Sequence, residues 1–217
     1  MPVSIIRSSV LATVVAMATT AAASAQYNNA PNWTGPYLGA SVGAGTAKTI
    51  WSAADFETSG KGALGGVQTG YNWQTGSIIL GVEGDYLFAN SKGSVDCFGG
   101  STCSSTTHGL GSLRGRLGWA IAPPAMLYFT GGLAWGNTAW SATPNPGGIP
   151  VSFSHASRGT AFGGGAEYML SSNWTLKAEY LHYNLGTVHA GGGDFLSGPV
   201  DLKTRADTFK LGVNFKF

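Results

Sequence analysis

Eight stretches of this chain alternate apolar and polar residues with a period of two, the pattern of strands whose two faces meet different surroundings. The first covers about residues 33–44, with Leu38, Ala40, Val42 and Ala44 in phase. The second covers 62–73, where Ala63, Val67, Tyr71 and Trp73 share a face, and the third 77–88, where Ile78, Leu80, Val82, Tyr86 and Phe88 do. Leu113, Leu117, Trp119 and Ile121 mark a fourth within 109–121, and Leu127, Phe129, Leu133 and Trp135 a fifth within 126–140. Phe162, Ala166, Tyr168 and Leu170 mark a sixth within 159–170. The seventh, 174–185, carries Trp174, Leu176, Ala178 and Tyr180, and the eighth, 204–217, ends in Leu211, Val213, Phe215 and Phe217. Each is long enough for a tilted bilayer span of about 9–11 residues. Leu181, Tyr183 and Leu185 fall out of phase, so a bulge, or a strand running on above the membrane, is expected there.

The connections alternate strictly in length. Gln74-Thr75-Gly76, Ala122-Pro123-Pro124-Ala125 and Ser171-Ser172-Asn173 are short turns. Residues 46–61, 89–108, 138–158 and 186–203 read as long, polar loops rich in Gly, Ser and Pro. Short turns at one end and long loops at the other are the rhythm of an outer-membrane barrel. A soluble up-and-down barrel has the same strand order but keeps its charges outside.

Charge placement separates the two. Glu83 and Asp85 lie opposite the Ile78, Leu80, Val82 stripe, and Arg114 and Arg116 lie opposite Leu113, Leu117 and Trp119. Glu167, Lys177, Glu179, Lys210 and Lys216 likewise fall on the polar face of their strands. On a lipid-facing wall, an Arg or Lys at mid-bilayer would cost about 2–4 kcal/mol. The polar face is therefore the lumen. Acidic and basic strands adjoin, and one antiparallel register sets Glu83 against Arg116 and Asp85 against Arg114; a three-residue turn sets Glu167 against Lys177. Eight strands enclose a space that side chains just fill. Glu83, Asp85, Glu167 and Glu179 are expected to meet Arg114, Arg116, Lys177 and Lys210 there as a plugged, charge-balanced lumen network.

Composition agrees with lipid exposure. The chain has 34 Gly, 7 Trp, 8 Tyr and 10 Phe but only 10% charged residues, far below the charge of a soluble surface. A net charge of +2, including Arg7, gives no electrostatic basis for nucleic-acid binding. Arg7, the apolar stretch 10–18 and Ala23-Ser24-Ala25 form the three parts of a cleavable signal peptide over residues 1–25. The expected mature domain is then residues 26–217. Its tail, with Lys210, Gly212, Phe215 and the terminal Phe217, resembles the signal read by the outer-membrane barrel assembly machinery.

Cys97 and Cys103 flank a Gly/Ser run and, in an exported chain, read as a local disulfide. Too few ligands stand nearby for a metal site. His108, His155 and His189 lie in or beside the long connections and His182 near the outer rim, without a tight nucleophile–base motif. No catalytic residue, metal or cofactor is assigned.

Several motifs, in order, carry a resemblance. Trp33-Thr34-Gly35-Pro36-Tyr37-Leu38-Gly39 and Gly65-Gly66-Val67-Gln68-Thr69-Gly70-Tyr71-Asn72-Trp73-Gln74 open it. Gly81-Val82-Glu83-Gly84-Asp85-Tyr86, Arg114-Gly115-Arg116-Leu117-Gly118 and Thr130-Gly131-Gly132-Leu133-Ala134 continue it. Gly163-Gly164-Gly165-Ala166-Glu167-Tyr168 and Leu176-Lys177-Ala178-Glu179-Tyr180-Leu181 complete it. Together they resemble the outer-membrane immunogenic and porin-like β-barrel family of alphaproteobacteria. The resemblance implies an all-β fold, an eight-stranded antiparallel up-and-down transmembrane barrel in the outer membrane, surrounded by lipid. It implies a surface-exposed, often antigenic protein, with a part in envelope integrity among its relatives; the absence of a catalytic motif adds the expectation of a non-enzymatic barrel that meets host or envelope partners through its long loops. A small porin-like channel or a haem-binding surface receptor is the alternative.

Overall fold

Side chains that alternate along a strand must show one set to each side of the sheet, and here the sheet closes on itself. The computed structural model describes residues 32–51, 56–97, 101–143, 151–190 and 200–217; some side chains at the outer strand ends also fall outside the description. The expected signal peptide lies outside the described residues. Eight antiparallel strands follow in order: β1 (Gly35–Trp51), β2 (Phe56–Thr75), β3 (Ile78–Cys97), β4 (Ser101–Ala122), β5 (Ala125–Thr143), β6 (Val151–Met169), β7 (Trp174–Ala190) and β8 (Val200–Lys216). Each pairs with the next, and β8 pairs with β1 to close the cylinder.

The register fixes its shape. Directly paired residues lead from Trp73 through Leu80, Leu117, Phe129, Gly164, Tyr180, Phe209 and Ala44 back to β2 at Ala63, ten residues along the strand. A stagger of ten across eight strands tilts them by roughly 40° and gives a backbone cylinder about 16 Å wide.

The outer wall carries the apolar stripe that the sequence pattern placed on one face. Phe129 is 78% exposed and Val42 68%, values that only a lipid environment makes favourable across a continuous surface. Trp73, Trp119, Trp174 and Phe217 ring the short-turn end, and Phe88, Trp135 and Phe209 stand toward the other. With this tilt the belt between the rings is about 25 Å tall, matching the apolar band of an outer-membrane barrel. The short-turn end is then the periplasmic one. Phe215 packs edge-on between Trp174 and Phe217, with ring centroids 5.1 and 5.2 Å apart.

Two expectations are corrected, and between two alternatives for β7 one is selected. The long connections are shorter than the polarity pattern suggests, because the strands run on to Trp51, Cys97, Thr143 and Ala190 and resume at Phe56, Ser101, Val151 and Val200. Above the bilayer neither face must be apolar, so Ser, Thr, Gly and Ala form ladder without any hydropathy signature. Of the two expectations for Leu181, Tyr183 and Leu185, the strand that runs on is the one found, since β7 continues to Ala190. They keep the lumen phase and are fully buried, while the β7–β8 irregularity lies at Asn184/Thr187, beside Gly186 with φ 73°.

The β3–β4 register also differs from the expected one. Glu83 faces Arg114, Gly81 faces Arg116 and Asp85 faces Ser112. Direct opposition is a weak restraint where a long guanidinium reaches diagonally across a narrow lumen. In this register one Arg114 serves both acids of β3, and Arg116 spans from Glu83 at 3.4 Å to Glu167 at 2.7 Å. Glu167 does stand opposite Lys177.

Candidate functional site

The lumen is where this chain concentrates its chemistry. Glu83, Asp85, Glu167 and Glu179 and Arg114, Arg116, Lys177 and Lys210 are all buried, and strand alternation brings all eight to the same interior. Arg114 is the hub. Its Nη2 lies 2.7 Å from Glu83 and 3.2 Å from Asp85, its Nη1 lies 3.2 Å from Glu179, and its Nε donates to Ser112 at 2.8 Å. Lys177 Nζ reaches both Glu83 oxygens at 2.8 and 2.9 Å. Lys210 bridges Asp85 at 2.5 Å and Glu179 at 3.0 Å. Arg116 joins Glu167 at 2.7 Å. Although Glu167 and Lys177 are register partners, their charged ends part: Lys177 turns to Glu83, and Glu167 accepts from Arg116, Thr175 and Asn214. Formal charge within the set of eight is balanced, which is what ions withdrawn from water require.

Two tyrosines complete the network. Tyr37 Oη donates to Glu83 at 2.7 Å and accepts from Arg116 at 2.8 Å. Tyr128 Oη donates to Glu179 at 2.9 Å, and the Arg116 guanidinium lies 4.0 Å from the centroid of its ring. A Cβ at Gly70 would strike the Tyr37 ring, and one at Gly165 the Tyr128 phenol. These glycines make the interior wide enough for both rings. Sequence reasoning missed Tyr37, Tyr128, Gln68 and Asn214. Their signal was phase: each lies opposite the apolar stripe of its strand.

The ionic layer is closed above and below. Toward the outer end, Leu64, Leu87, Leu110, Leu181, Tyr183 and Leu185 form a buried cluster inside the barrel, filled in by small Ala side chains. Toward the short turns, Trp33, Ile79, Met126 and Met169 are buried to within 2%. The lumen is thus three layers deep: apolar, ionic, apolar.

The other candidate residues do not join this site. Cys97 is at the register position opposite Ser101, and Cys103 opposite Val95; their side chains lie outside the described residues. So do the side chains of His108, His155 and His189. His182 faces outward, with Nδ1 2.7 Å from Asp207 Oδ1 and its ring against Phe162. Among the described residues no hydroxyl is hydrogen-bonded to it, and no group of three His, Cys, Asp or Glu could hold a metal ion. Gly212 and Lys210 face the lumen, while Phe215 and Phe217 join the aromatic ring at the short-turn end.

Comparison with known proteins gives this architecture a family. Residues 9–217 match the family described as outer membrane protein beta-barrel domain. The 31 kDa outer-membrane immunogenic protein of Brucella melitensis biotype 1 is 32% identical over 205 residues, covering 86% of this chain and 84% of that protein. The 22 kDa outer membrane protein of Rhizobium leguminosarum bv. viciae is 34% identical over 191 residues, covering 87% and 80%. In fold the chain resembles the outer membrane protein OprG of Pseudomonas aeruginosa, with a TM-score of 0.55 at 12% identity, covering 87% of this chain and 99% of that one. With an outward apolar belt, an inward ionic layer and this likeness along nearly its whole length, the chain belongs to the outer-membrane β-barrel family and is a protein of the outer membrane.

Proposed function

We propose that this protein is a non-enzymatic surface barrel that contributes to envelope integrity and presents its outer strand ends and loops to the exterior. The observation that carries this reading is the three-layered lumen. Among the described residues, eight buried charges paired with one another between two apolar layers favour a closed interior over a conducting or substrate-binding one. Rigidity, not transport, is what such an interior supplies. The outer ends of the strands stand above the belt as a closed scaffold, and the names of the Brucella relatives suggest that what they display is antigenic.

Three further parts belong to this reading. Residues 1–25 are removed as a signal peptide. The last strand, through Gly212, Phe215 and Phe217, engages the barrel assembly machinery. Cys97 and Cys103 close as a local disulfide, which from their diagonal register positions requires the outer end of the β3–β4 pair to shift; a non-reduced peptide carrying both tests this.

A deletion strain tests the function. Loss of the protein is expected to raise sensitivity to detergent and large antibiotics, with rescue by the wild-type gene and poor rescue by Arg114→Ala. An intact barrier in the deletion strain would retire the envelope role.

A further inference from the structure

The polar network of the lumen has a loose end on the β1 side. Glu167 Oε1 accepts from Asn214 Nδ2 at 2.8 Å, and Asn214 Oδ1 accepts from Gln68 Nε2 at 2.8 Å. This chain orients both amides. Asn214 turns its nitrogen to the carboxylate, so its oxygen faces Gln68, and Gln68 offers its own nitrogen in return. What remains is Gln68 Oε1, a carbonyl oxygen on a side chain only 1% exposed, and no protein donor reaches it.

A second orphan stands beside it. Ser41 is 5% exposed on the lumen face of β1, and its Oγ has no protein partner either. One point in space ties the two together. A Cβ on Gly212 would lie 2.9 Å from Gln68 Nε2 and 3.2 Å from Ser41 Cβ. The amide head of Gln68 and the side chain of Ser41 therefore flank the bare backbone of Gly212. Ser41 pairs with Gly66 on β2 and with Gly212 on β8, so neither register neighbour has a side chain to cover its hydroxyl.

The chemistry of the pair selects its occupant. Gln68 Oε1 can only accept, whereas a hydroxyl can donate and accept. The eight lumen charges already balance one another, so whatever joins these oxygens must donate without bringing a net charge. It must also be small, in a barrel whose interior side chains nearly fill. Water meets all three demands, given the two to four polar partners that a buried water uses. A third partner stands close by. Lys210 pairs with Gly43 and is thus the diagonal neighbour of Ser41, and its ammonium holds three N–H donors against two carboxylates, Asp85 and Glu179.

We propose that the lumen holds an occluded water between Gln68 and Ser41. It donates to Gln68 Oε1, bonds Ser41 Oγ and accepts from the third N–H of Lys210. The water turns a dead end into a link. The Glu167–Asn214–Gln68 chain, and Arg116 with it, becomes joined to the Lys210 branch that serves Asp85 and Glu179. The site rests on the reading of a closed interior, yet the two fail differently. An open lumen shows itself as conductance, whereas a dry gap at this pair retires the water and leaves the barrel closed.

Two measurements on the full-length protein test it. A crystal structure fine enough to show ordered solvent should carry a solvent peak within hydrogen-bond distance of both Gln68 Oε1 and Ser41 Oγ. Urea titration in micelles then gives the energetic sign. A buried hydroxyl with no partner weakens a fold, so in a dry lumen Ser41→Ala would make the barrel more stable. With the water in place the same change removes an anchor and leaves an acceptor unmet. The folded-to-unfolded ratio is then expected to fall about tenfold. A lumen without a solvent peak at this pair, or a barrel that Ser41→Ala stabilises, would overturn the proposal.

Discussion

At the residue scale the decisive side chain is Arg114. Three carboxylates, Glu83, Asp85 and Glu179, are shared between its one guanidinium and the ammonium groups of Lys177 and Lys210. Removing one partner of a buried ionic set costs about 3–5 kcal/mol, because the remaining charges stay where water cannot reach them. Arg114→Ala is therefore expected to destabilise the folded barrel by about that amount in urea titrations in micelles, whereas Arg158→Ala, outside the belt, should stay within about 0.5 kcal/mol. A neighbouring prediction separates register from contact. Glu167 and Lys177 are cross-strand partners, yet Lys177 binds Glu83 and Glu167 binds Arg116. Double-mutant cycles should give strong coupling for Glu83 with Lys177 and little, about 0.5 kcal/mol or less, for Glu167 with Lys177. Strong coupling of the second pair would mean that the lumen is wired along the strands and not across them.

At the scale of elements the β3–β4 pairing is the most exposed to test. Leu80 faces Leu117 on the outer wall. Leu80→Cys with Leu117→Cys should crosslink efficiently under mild oxidation, and Leu80→Cys with Trp119→Cys poorly, since a diagonal pair lies about 7–8 Å apart at Cα. The opposite order would restore the register in which Glu83 faces Arg116. The belt portions of the strands, and the face to which each charge belongs, were legible in the sequence because lipid on one side and ions on the other impose a strict period of two. The register was not, since both settings keep every charge inside and long side chains satisfy either. Nor were the outer strand ends. Ser104 and Ser141, whose hydroxyls meet at 2.9 Å, belong to polar stretches that read as loop, yet they pair as ladder. Tyr37 and Tyr128 were visible only as phase, because nothing in a one-dimensional pattern says that two phenols would reach across the lumen to the same ionic cluster.

For the whole molecule, the three layers of the lumen set its behaviour. An eight-stranded cylinder about 16 Å wide is just wide enough for side chains to fill, and here two tyrosines, two arginines and two lysines lie across it. Leu181, Tyr183 and Leu185 above and Trp33 and Met169 below then separate the ionic layer from water on both sides. The barrel is held by its interior as a soluble protein is by its core, while its outer wall meets lipid. Single-channel recording of the refolded full-length protein in planar bilayers tests the sealed lumen most directly. A closed barrel predicts a flat baseline across the voltage range in which the protein is demonstrably inserted. Stable, reproducible openings from folded wild-type protein would contradict it.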